Sequence, residues 1–120
     1  MLTRRYNWYL KPSGLSVSQY CMLANIHRNP GVSVTELAHL MSMDQTTVTR
    51  NLHGLENSDY IHLRSESSDQ RIKKIQLTTQ GTAKVAAARP LWEKAQREIE
   101  AVLDGKMIES LMDGLKKIPD

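Results

Sequence analysis

Cysteine is almost absent from this sequence, and long apolar runs are absent altogether. The one cysteine, Cys21, has no second cysteine with which to form an internal disulfide, which favours a reducing compartment. No stretch approaches the roughly 20 apolar residues of a membrane span, and no apolar run of signal-peptide length follows Arg4 and Arg5. We therefore expect a cytoplasmic protein with no membrane partner.

The residue patterns of common enzymes are also missing. The sequence has no motif that places a nucleophile beside a base, no glycine-rich phosphate loop and no carboxylate pair with a plausible partner. The histidines show no pair at metal-ligand spacing; they are His27, His39, His53 and His62. The sequence thus predicts a protein that is not an enzyme and that binds neither a metal nor a cofactor.

What is present is the composition of one ordinary globular domain, which we place over residues 1–120. Hydrophobic residues make up 40% of the chain and charged residues 24%, without repeats or low-complexity tracts. The net charge is +3, but basic and acidic residues nearly balance beyond residue 32. Total charge is therefore weak evidence for a nucleic-acid partner, and only the local cluster of Arg71, Lys73 and Lys74 stands out.

Two helices are expected before residue 30. Residues 2–10 resemble the tail of a helix that ends at Pro12 and Gly14, two residues that break helices. Residues 16–27 carry apolar side chains on one side at helical spacing and stop at Asn29-Pro30-Gly31. The chain thus begins with a short aromatic-rich helix and one longer amphipathic helix.

A pair of short helices joined by a tight turn follows. Ser33-Val34-Thr35-Glu36 has the pattern of a capping box, which marks a helix start. Ser42-Met43 forms the turn, and Asp44 is a good N-cap for a second helix over residues 45–57. The second helix has one apolar face at steps of four and three, formed by Val48, Leu52 and Leu55.

The rest of the chain combines a hairpin with long helical patterns. Residues 61–63 and 75–77 alternate apolar and polar side chains around the polar loop 65–71, which predicts two paired strands. From Thr78 an apolar stripe persists for three heptads, so we expect a helix of about 24 residues, or about 36 Å, kinked but not ended by Pro90. A further amphipathic helix is expected over residues 107–118.

This order of elements predicts a mainly α fold of the α+β class, a winged helix-turn-helix with a two-stranded β wing. Residues 14–78 form the DNA-binding unit, and residues 1–13 and 79–120 supply flanking dimerisation helices. In such a unit the second helix of the pair enters the major groove, and the first helix braces it. The long helix outreaches its own winged unit, and its apolar stripe needs a partner, which predicts a homodimer.

The outward side of the second helix is the candidate surface for reading DNA bases. Its short hydrogen-bonding side chains and one long cation match base edges: Arg50 suits guanine, Gln45 suits adenine, and threonine methyls suit thymine. A solvated helix surface is the competing interpretation of the same polar face. The candidate DNA-binding residues are Gln45, Thr46, Thr47, Thr49, Arg50 and His53 of the second helix, together with Thr35 of the first.

The hairpin loop supplies a second candidate contact. Asp69 lies two residues from Arg71 and could hold its guanidinium in one orientation. An ordered arginine suits a narrow A·T-rich minor groove, where negative potential is concentrated. Lys73 and Lys74 would then lie near phosphates, although a solvated strand end explains both lysines equally well.

These residues resemble the multiple antibiotic resistance regulator (MarR) family from about residue 14 to residue 115. The similar stretches are Gly14-Leu15-Ser16-Val17-Ser18-Gln19, the run from Met43 to Leu52, Asp69-Gln70-Arg71 with Leu77-Thr78-Thr79-Gln80-Gly81, and Pro90-Leu91-Trp92. The chain departs from the family's pattern in its short first helix, in Asp59 where glycine is common, and in Gln70 where arginine is frequent.

The resemblance implies a bacterial, nucleoid-associated regulator that binds a double-stranded, pseudo-palindromic operator as a homodimer. It is usually a repressor and is often released by a small molecule or an oxidant. A small aromatic or anionic effector is a candidate further partner, with Tyr6, Tyr9 and Trp92 as its candidate pocket, although such rings at helix junctions are more often core. Cys21 is similarly more typical of a small buried residue than of an oxidant sensor.

One competing function shares the same fold. A winged helix can also serve as a protein-docking or RNA-binding module, because the fold does not fix the function. Docking would favour exposed apolar residues on the outward helix face, whereas Thr46, Thr47 and Arg50 favour phosphates and base edges.

Overall fold

A computed structural model describes residues 2–65 and 72–102 of the chain. The described part contains α1 (Leu2–Leu10), a 3₁₀ turn (Lys11–Ser13), α2 (Val17–Arg28), α3 (Val34–Leu40), α4 (Gln45–Asn57), β1 (Ile61–Ser65), β2 (Lys73–Leu77) and α5 (Thr79–Val102). This is the predicted winged helix-turn-helix architecture. The predicted C-terminal helix, Asp69, Gln70 and Arg71 lie outside the described residues, and no helix within the described ranges is long and apolar enough to cross a bilayer.

Local capping signals determine where the central helices begin. Ser16 and Ser33 each accept a hydrogen bond from the backbone N–H three residues on, and the side chains of Gln19 and Glu36 bond back to the capping residues. Asp44 caps α4 by accepting from the Thr47 N–H. Each cap satisfies a backbone donor that the helix itself leaves unpaired. The helix starts predicted at these positions are therefore confirmed.

Two turns of the winged unit place non-glycine residues in left-handed conformations. Ser42, between α3 and α4, has φ 52°, and Asp59, between α4 and β1, has φ 63°. Asp59 thus takes the conformation for which glycine is favoured, at the position where the chain departs from the family's pattern. Its carbonyl oxygen accepts a hydrogen bond from the Thr78 hydroxyl at 2.6 Å, which ties this turn to the start of α5.

The wing is a single antiparallel hairpin of β1 and β2. Ile61 pairs with Leu77 and Leu63 with Ile75, the register that the alternating pattern predicts. Beyond the hairpin, the Ile75 N–H donates to Val32 O at 2.9 Å. The segment between α2 and α3 therefore holds the base of the wing against the helices.

One continuous core joins these elements. Its largest fully buried side chains come from every helix and both strands: Leu10, Met22, Leu23, Ile26, Leu37, Val48, Leu52, Leu55, Ile61, Ile75 and Val85. α2 contributes five buried residues to this core: Tyr20, Met22, Leu23, Ala24 and Ile26. The long helix α5 continues through Pro90 over 24 residues, as the unbroken stripe predicts.

The backbone of α5 lies directly against the winged unit at Gly81. A methyl group at this position would collide with the backbone carbonyl of Tyr60. Gly54, in α4, has open space where a methyl group would lie. Gly81 is therefore required by packing, whereas Gly54 shows only the low helix propensity of glycine.

We expect Gly81→Ala to lower the free energy of unfolding by about 1 to 3 kcal/mol, because the added methyl overpacks the contact with Tyr60. Gly54→Ala is the control and should instead stabilise the protein by roughly 0.5 to 1 kcal/mol through helix propensity alone. Chemical denaturation monitored by circular dichroism measures both. Equal, stabilising effects would contradict the assigned contact.

Candidate nucleic-acid interface

The tight turn between α3 and α4 fixes which side of α4 faces outward. The Met43 N–H donates to Ala38 O at 3.0 Å, and the Ser42 N–H donates to His39 O at 3.1 Å. On the inner side of α4, Val48, Leu52 and Leu55 are completely or almost completely buried. Burial of this apolar side leaves the polar side of the helix facing solvent.

The outward side of α4 gathers most of the predicted reading residues. Gln45, Thr46, Arg50 and His53 are exposed, Thr49 is half-buried, and all five line one shallow depression on the protein surface. Hydroxyl, amide, imidazole and guanidinium groups therefore lie together on one helix face. This arrangement offers both donors and acceptors to the edges of base pairs.

Thr47 differs from its neighbours because its polar groups are already used. Its backbone N–H and its hydroxyl both donate to the Asp44 carboxylate, each at 2.8 Å. These bonds, the backbone bond foremost, hold the pKa of the Asp44 carboxyl below its ordinary value. Thr47 is half-buried and serves as the partner of the helix cap, so its methyl group and the lone pairs of its hydroxyl oxygen are what remain for a ligand.

Thr35 and Gln45 connect the first turns of α3 and α4. The Gln45 side-chain amide donates to the Thr35 hydroxyl at 3.3 Å, and both residues are exposed. This contact restrains a long, flexible side chain at the head of α4. The structure thus brings Thr35, which lies on the bracing helix, next to the predicted reading surface.

A cleft of about 470 Å³ separates α4 from the hairpin. Thr49 and His53 line one wall, Leu63 and Lys73 line the other, and Ile72 lies at its rim with 40% of its surface exposed. Lys73 is exposed on β2 and lines this cleft opposite the α4 face. Asp69 and Arg71 lie outside the described residues.

The two wing lysines lie on opposite faces of the hairpin, because adjacent strand residues point to opposite faces. Lys73 lines the cleft beside α4, whereas half-buried Lys74 lines a different surface with Arg28 and His39. Lys74 also lowers the pKa of Glu36, although the Ser33 backbone N–H is the main cause of that shift. The cluster identified in the sequence therefore divides between two sides of the hairpin.

Two of the candidate effector residues, Tyr6 and Trp92, form an aromatic cluster with Tyr20, whereas Tyr9 packs edge-on against Trp8. Trp92 on α5 stacks on Tyr6 of α1, with ring centroids 4.4 Å apart, and on Tyr20 of α2 at 5.3 Å. The Tyr9 hydroxyl donates to the Glu98 carboxylate, and this hydrogen bond is the main cause of the raised pKa of Tyr9. The sequence pattern did not identify Tyr20, because helical periodicity shows which face is apolar but not which ring on another helix it meets.

The Cys21 thiol is half-buried in α2. Burial raises its pKa, and the nearby Arg28 opposes that effect only in part. A raised pKa keeps the sulfur protonated, whereas oxidant-sensing cysteines are thiolates. Its environment accordingly favours the packing role over the sensing role.

Comparison with known proteins gives one family match over half of the chain and matches to solved structures over nearly all of it. The model of the MarR family matches residues 13–72. MosR from M. tuberculosis, solved in complex with DNA, is 32% identical with a TM-score of 0.80, over 95% of this chain and 84% of that one. A MarR mutant from E. coli, complexed with operator DNA, is 26% identical with a TM-score of 0.83, over 98% of this chain and 86% of that one.

A third solved structure supports the fold alone because its sequence identity is lower. The MepR–DNA complex from S. aureus is 21% identical with a TM-score of 0.82, over 97% of this chain and 86% of that one. All three matches extend beyond the winged unit, since they span at least 95% of the chain. The likeness therefore includes the helices on either side of it.

The cap at the head of α4 should be visible in a pH titration. Because the folded-state pKa of Asp44 is lowered, its carboxylate stabilises the fold above the unfolded-state pKa, and this contribution is lost as pH falls through the folded-state value. We expect the Thr47 amide resonance in NMR spectra to titrate with a midpoint below the ordinary aspartate range. Thr47→Val should move the Asp44 midpoint upward, and a midpoint that stays unchanged in this variant would rule out the hydroxyl contact.

Proposed function

The chain belongs to the MarR family of DNA-binding transcription regulators, and we propose that it is a homodimeric repressor that reads a pseudo-palindromic operator with α4. The observation that carries the proposal is the outward face of α4, where Gln45, Thr46 and Arg50 are exposed together while the inner face is fully buried. Regulators of this family act by binding DNA and not by catalysis. The proposed function therefore depends on the positions and charges of side chains and involves no chemical reaction.

Direct readout is assigned to the side chains that remain available on α4. Arg50 offers two parallel donors, which match guanine O6 and N7, and Gln45 can match adenine N6 and N7. Thr46 and Thr49 supply methyl groups and hydroxyls, and His53 extends the same face by one turn. Thr35 holds Gln45 from α3, and Thr47 holds the helix cap, so these two residues act on DNA mainly by positioning others.

The dimer follows from the shape of the chain and from its unpartnered apolar groups. α5 has 24 residues, or about 36 Å at 1.5 Å per residue. Trp8 on α1 is 67% exposed, which is unusual for the largest apolar side chain. Burial of α1 and α5 against a second copy would cover such groups, and two-fold symmetry would then place two α4 helices about 34 Å apart, one turn of DNA.

The wing adds contacts outside the major groove in this proposal. Lys73 lies on the side of the hairpin that faces the α4 cleft, where it can approach a phosphate. Asp69 and Arg71 are assigned from the sequence to the minor groove. The protein thus combines base readout by α4 with shape readout by the wing.

Effector release is assigned to the aromatic cluster between α1, α2 and α5. Tyr6 and Trp92 are in direct ring contact, so a planar aromatic anion could enter only by replacing one of these ring contacts. Its entry would shift α1 relative to α5. This movement would alter the helices on which the dimer is built and so the spacing of the two α4 helices.

Selection of bound duplexes from a random DNA pool tests the proposal. The expected product is an inverted repeat whose half-sites are about one helical turn apart, bound with an affinity that falls steeply as salt is raised. Mass measurement in solution should give twice the mass of the chain. A monomer without salt-sensitive affinity for any duplex would contradict the proposal, and selective capture of RNA over DNA would favour the RNA-binding alternative.

Arg50→Ala should weaken binding to the selected operator by about 1 to 3 kcal/mol and relax preference at one base position, because a bidentate base contact is lost. Arg89→Ala is the matched control, since it removes the same charge from an exposed position on α5. Fluorescence anisotropy at fixed salt measures both variants. If Arg50→Ala weakens binding to the operator no more than binding to a scrambled duplex, as expected for Arg89→Ala, Arg50 does not read bases.

Arg71→Ala should reduce affinity and, in particular, the preference for A·T-rich flanking sequence, because the wing arginine responds to a narrow minor groove. Binding to operators that differ only in their flanks measures this preference. A preference that survives the substitution would exclude Arg71 from the minor groove.

A further inference from the structure

The winged unit and the flanking helices meet at one compact junction. The chain passes between them at two places, from Ser13 into Gly14 and from Thr78 into α5. At the second crossing, the Thr78 N–H donates to Tyr60 O at 3.0 Å, and the Gly81 N–H donates to the Thr78 hydroxyl at 2.9 Å. The first turn of α5 is thus fixed to the turn that enters β1.

The Gly81 contact is one of several that join α5 to the winged unit. The backbone of α5 lies directly against the carbonyl of Tyr60 at this residue, with no space for a side chain between them. Farther along α5, Val85 and Ala88 are buried in the common core, and Trp92 stacks on Tyr20. Apolar packing of this kind is not directional, whereas a hydrogen bond across the junction restrains the angle between α5 and the winged unit.

Lys84 supplies such a directional bond one helical turn beyond Gly81. Its Nζ donates to the backbone carbonyl of Ser13 at 2.9 Å and lies 5.5 Å from the centroid of the Tyr60 ring. The side chain is half-buried, so its ammonium interacts with both groups in partial absence of water. One cation therefore contacts Ser13 at the first crossing and Tyr60, whose carbonyl is bonded to Thr78 at the second crossing.

The acceptor of this hydrogen bond lies on a rigid turn. Ser13 is buried, its hydroxyl donates to Leu10 O at 2.6 Å, and the same oxygen accepts from the Leu15 N–H at 3.2 Å. Gly14 follows with φ 78°, and its N–H donates to Lys11 O. A lysine bound to such a turn transmits its position to the start of α2 instead of being accommodated by a flexible loop.

We propose that Lys84 is a positioning residue that sets the angle between the winged unit and α5, and thereby the distance between the two α4 helices of the dimer. This inference rests on the proposed function, because only a dimer on a two-part operator makes that distance matter. One base pair corresponds to about 3.4 Å along DNA. A small rotation at the junction would therefore change the half-site spacing that the dimer prefers.

The experiment measures affinity for the selected operator and for versions with one base pair inserted or removed between the half-sites. Lys84→Met keeps an unbranched side chain, one atom shorter, but removes its charge and its donors. We expect its preference for the native spacing to fall by about threefold to tenfold, as loss of one hydrogen bond and one cation–π contact implies. Affinity for an isolated half-site and the dimeric mass should stay those of the wild type.

Three further variants separate positioning from general destabilisation. Lys84→Arg retains a cation that can donate to Ser13 O and lie over the Tyr60 ring, so it should restore the sharp spacing preference. Lys94→Met removes an exposed lysine from the same helix and should behave as wild type. Tyr60→Leu removes only the ring and should flatten the spacing profile relative to the wild type, though less than Lys84→Met does. The comparison of Tyr60→Leu with the wild type keeps the test decisive even where Lys84→Met does not fold.

The outcomes distinguish this inference from the proposed function. If the wild-type protein selects no two-part operator, both fail together. If the wild type shows a sharp spacing preference and Lys84→Met shows the same one, only the role of Lys84 is overturned. An equal loss of affinity for whole operators and for isolated half-sites would also overturn the role of Lys84, because such a loss would indicate damage within the winged unit.

Discussion

Burial of the inner face of α4 is the constraint on which the rest of the structure depends. Val48, Leu52 and Leu55 are buried against the core, so rotation of α4 about its axis is fixed to within the tolerance of close packing. Every outward side chain, Arg50 among them, inherits its direction from this contact. The chemistry available to DNA is thus decided by an apolar interface that never touches the ligand.

Features encoded within a few residues could be predicted from the sequence. The capping pattern of Ser33 and Glu36, the cap at Asp44 and the alternation through Ile61 and Leu63 each depend on neighbours along the chain, and the structure confirms them. The period of the α5 stripe likewise predicted a helix of the observed length. Local hydrogen-bonding and periodicity therefore account for the order of elements and hence for the fold class.

Features that join distant residues could not be read in the same way. Lys84 and Ser13 are 71 positions apart, and neither belongs to a pattern that indicates the other. The stack of Trp92 on Tyr20 depends on how α5 crosses α2. Two details of the candidate surface are of the same kind: Thr47 bonds to the helix cap, and Lys74 lines a different surface from Lys73. Such details follow from tertiary packing, which composition and spacing do not specify.

The Asp44 carboxylate has a consequence for how the protein distinguishes a target from the bulk of the chromosome. A helix N-terminus ordinarily attracts phosphate, because its free N–H groups and dipole are positive. In α4 an ionised side chain, whose pKa is lowered by its bonds to Thr47, already occupies that position and would repel a second anion. Indiscriminate adhesion of the helix head to any sugar–phosphate strand is thereby weakened, so residence on DNA depends more heavily on finding complementary base edges.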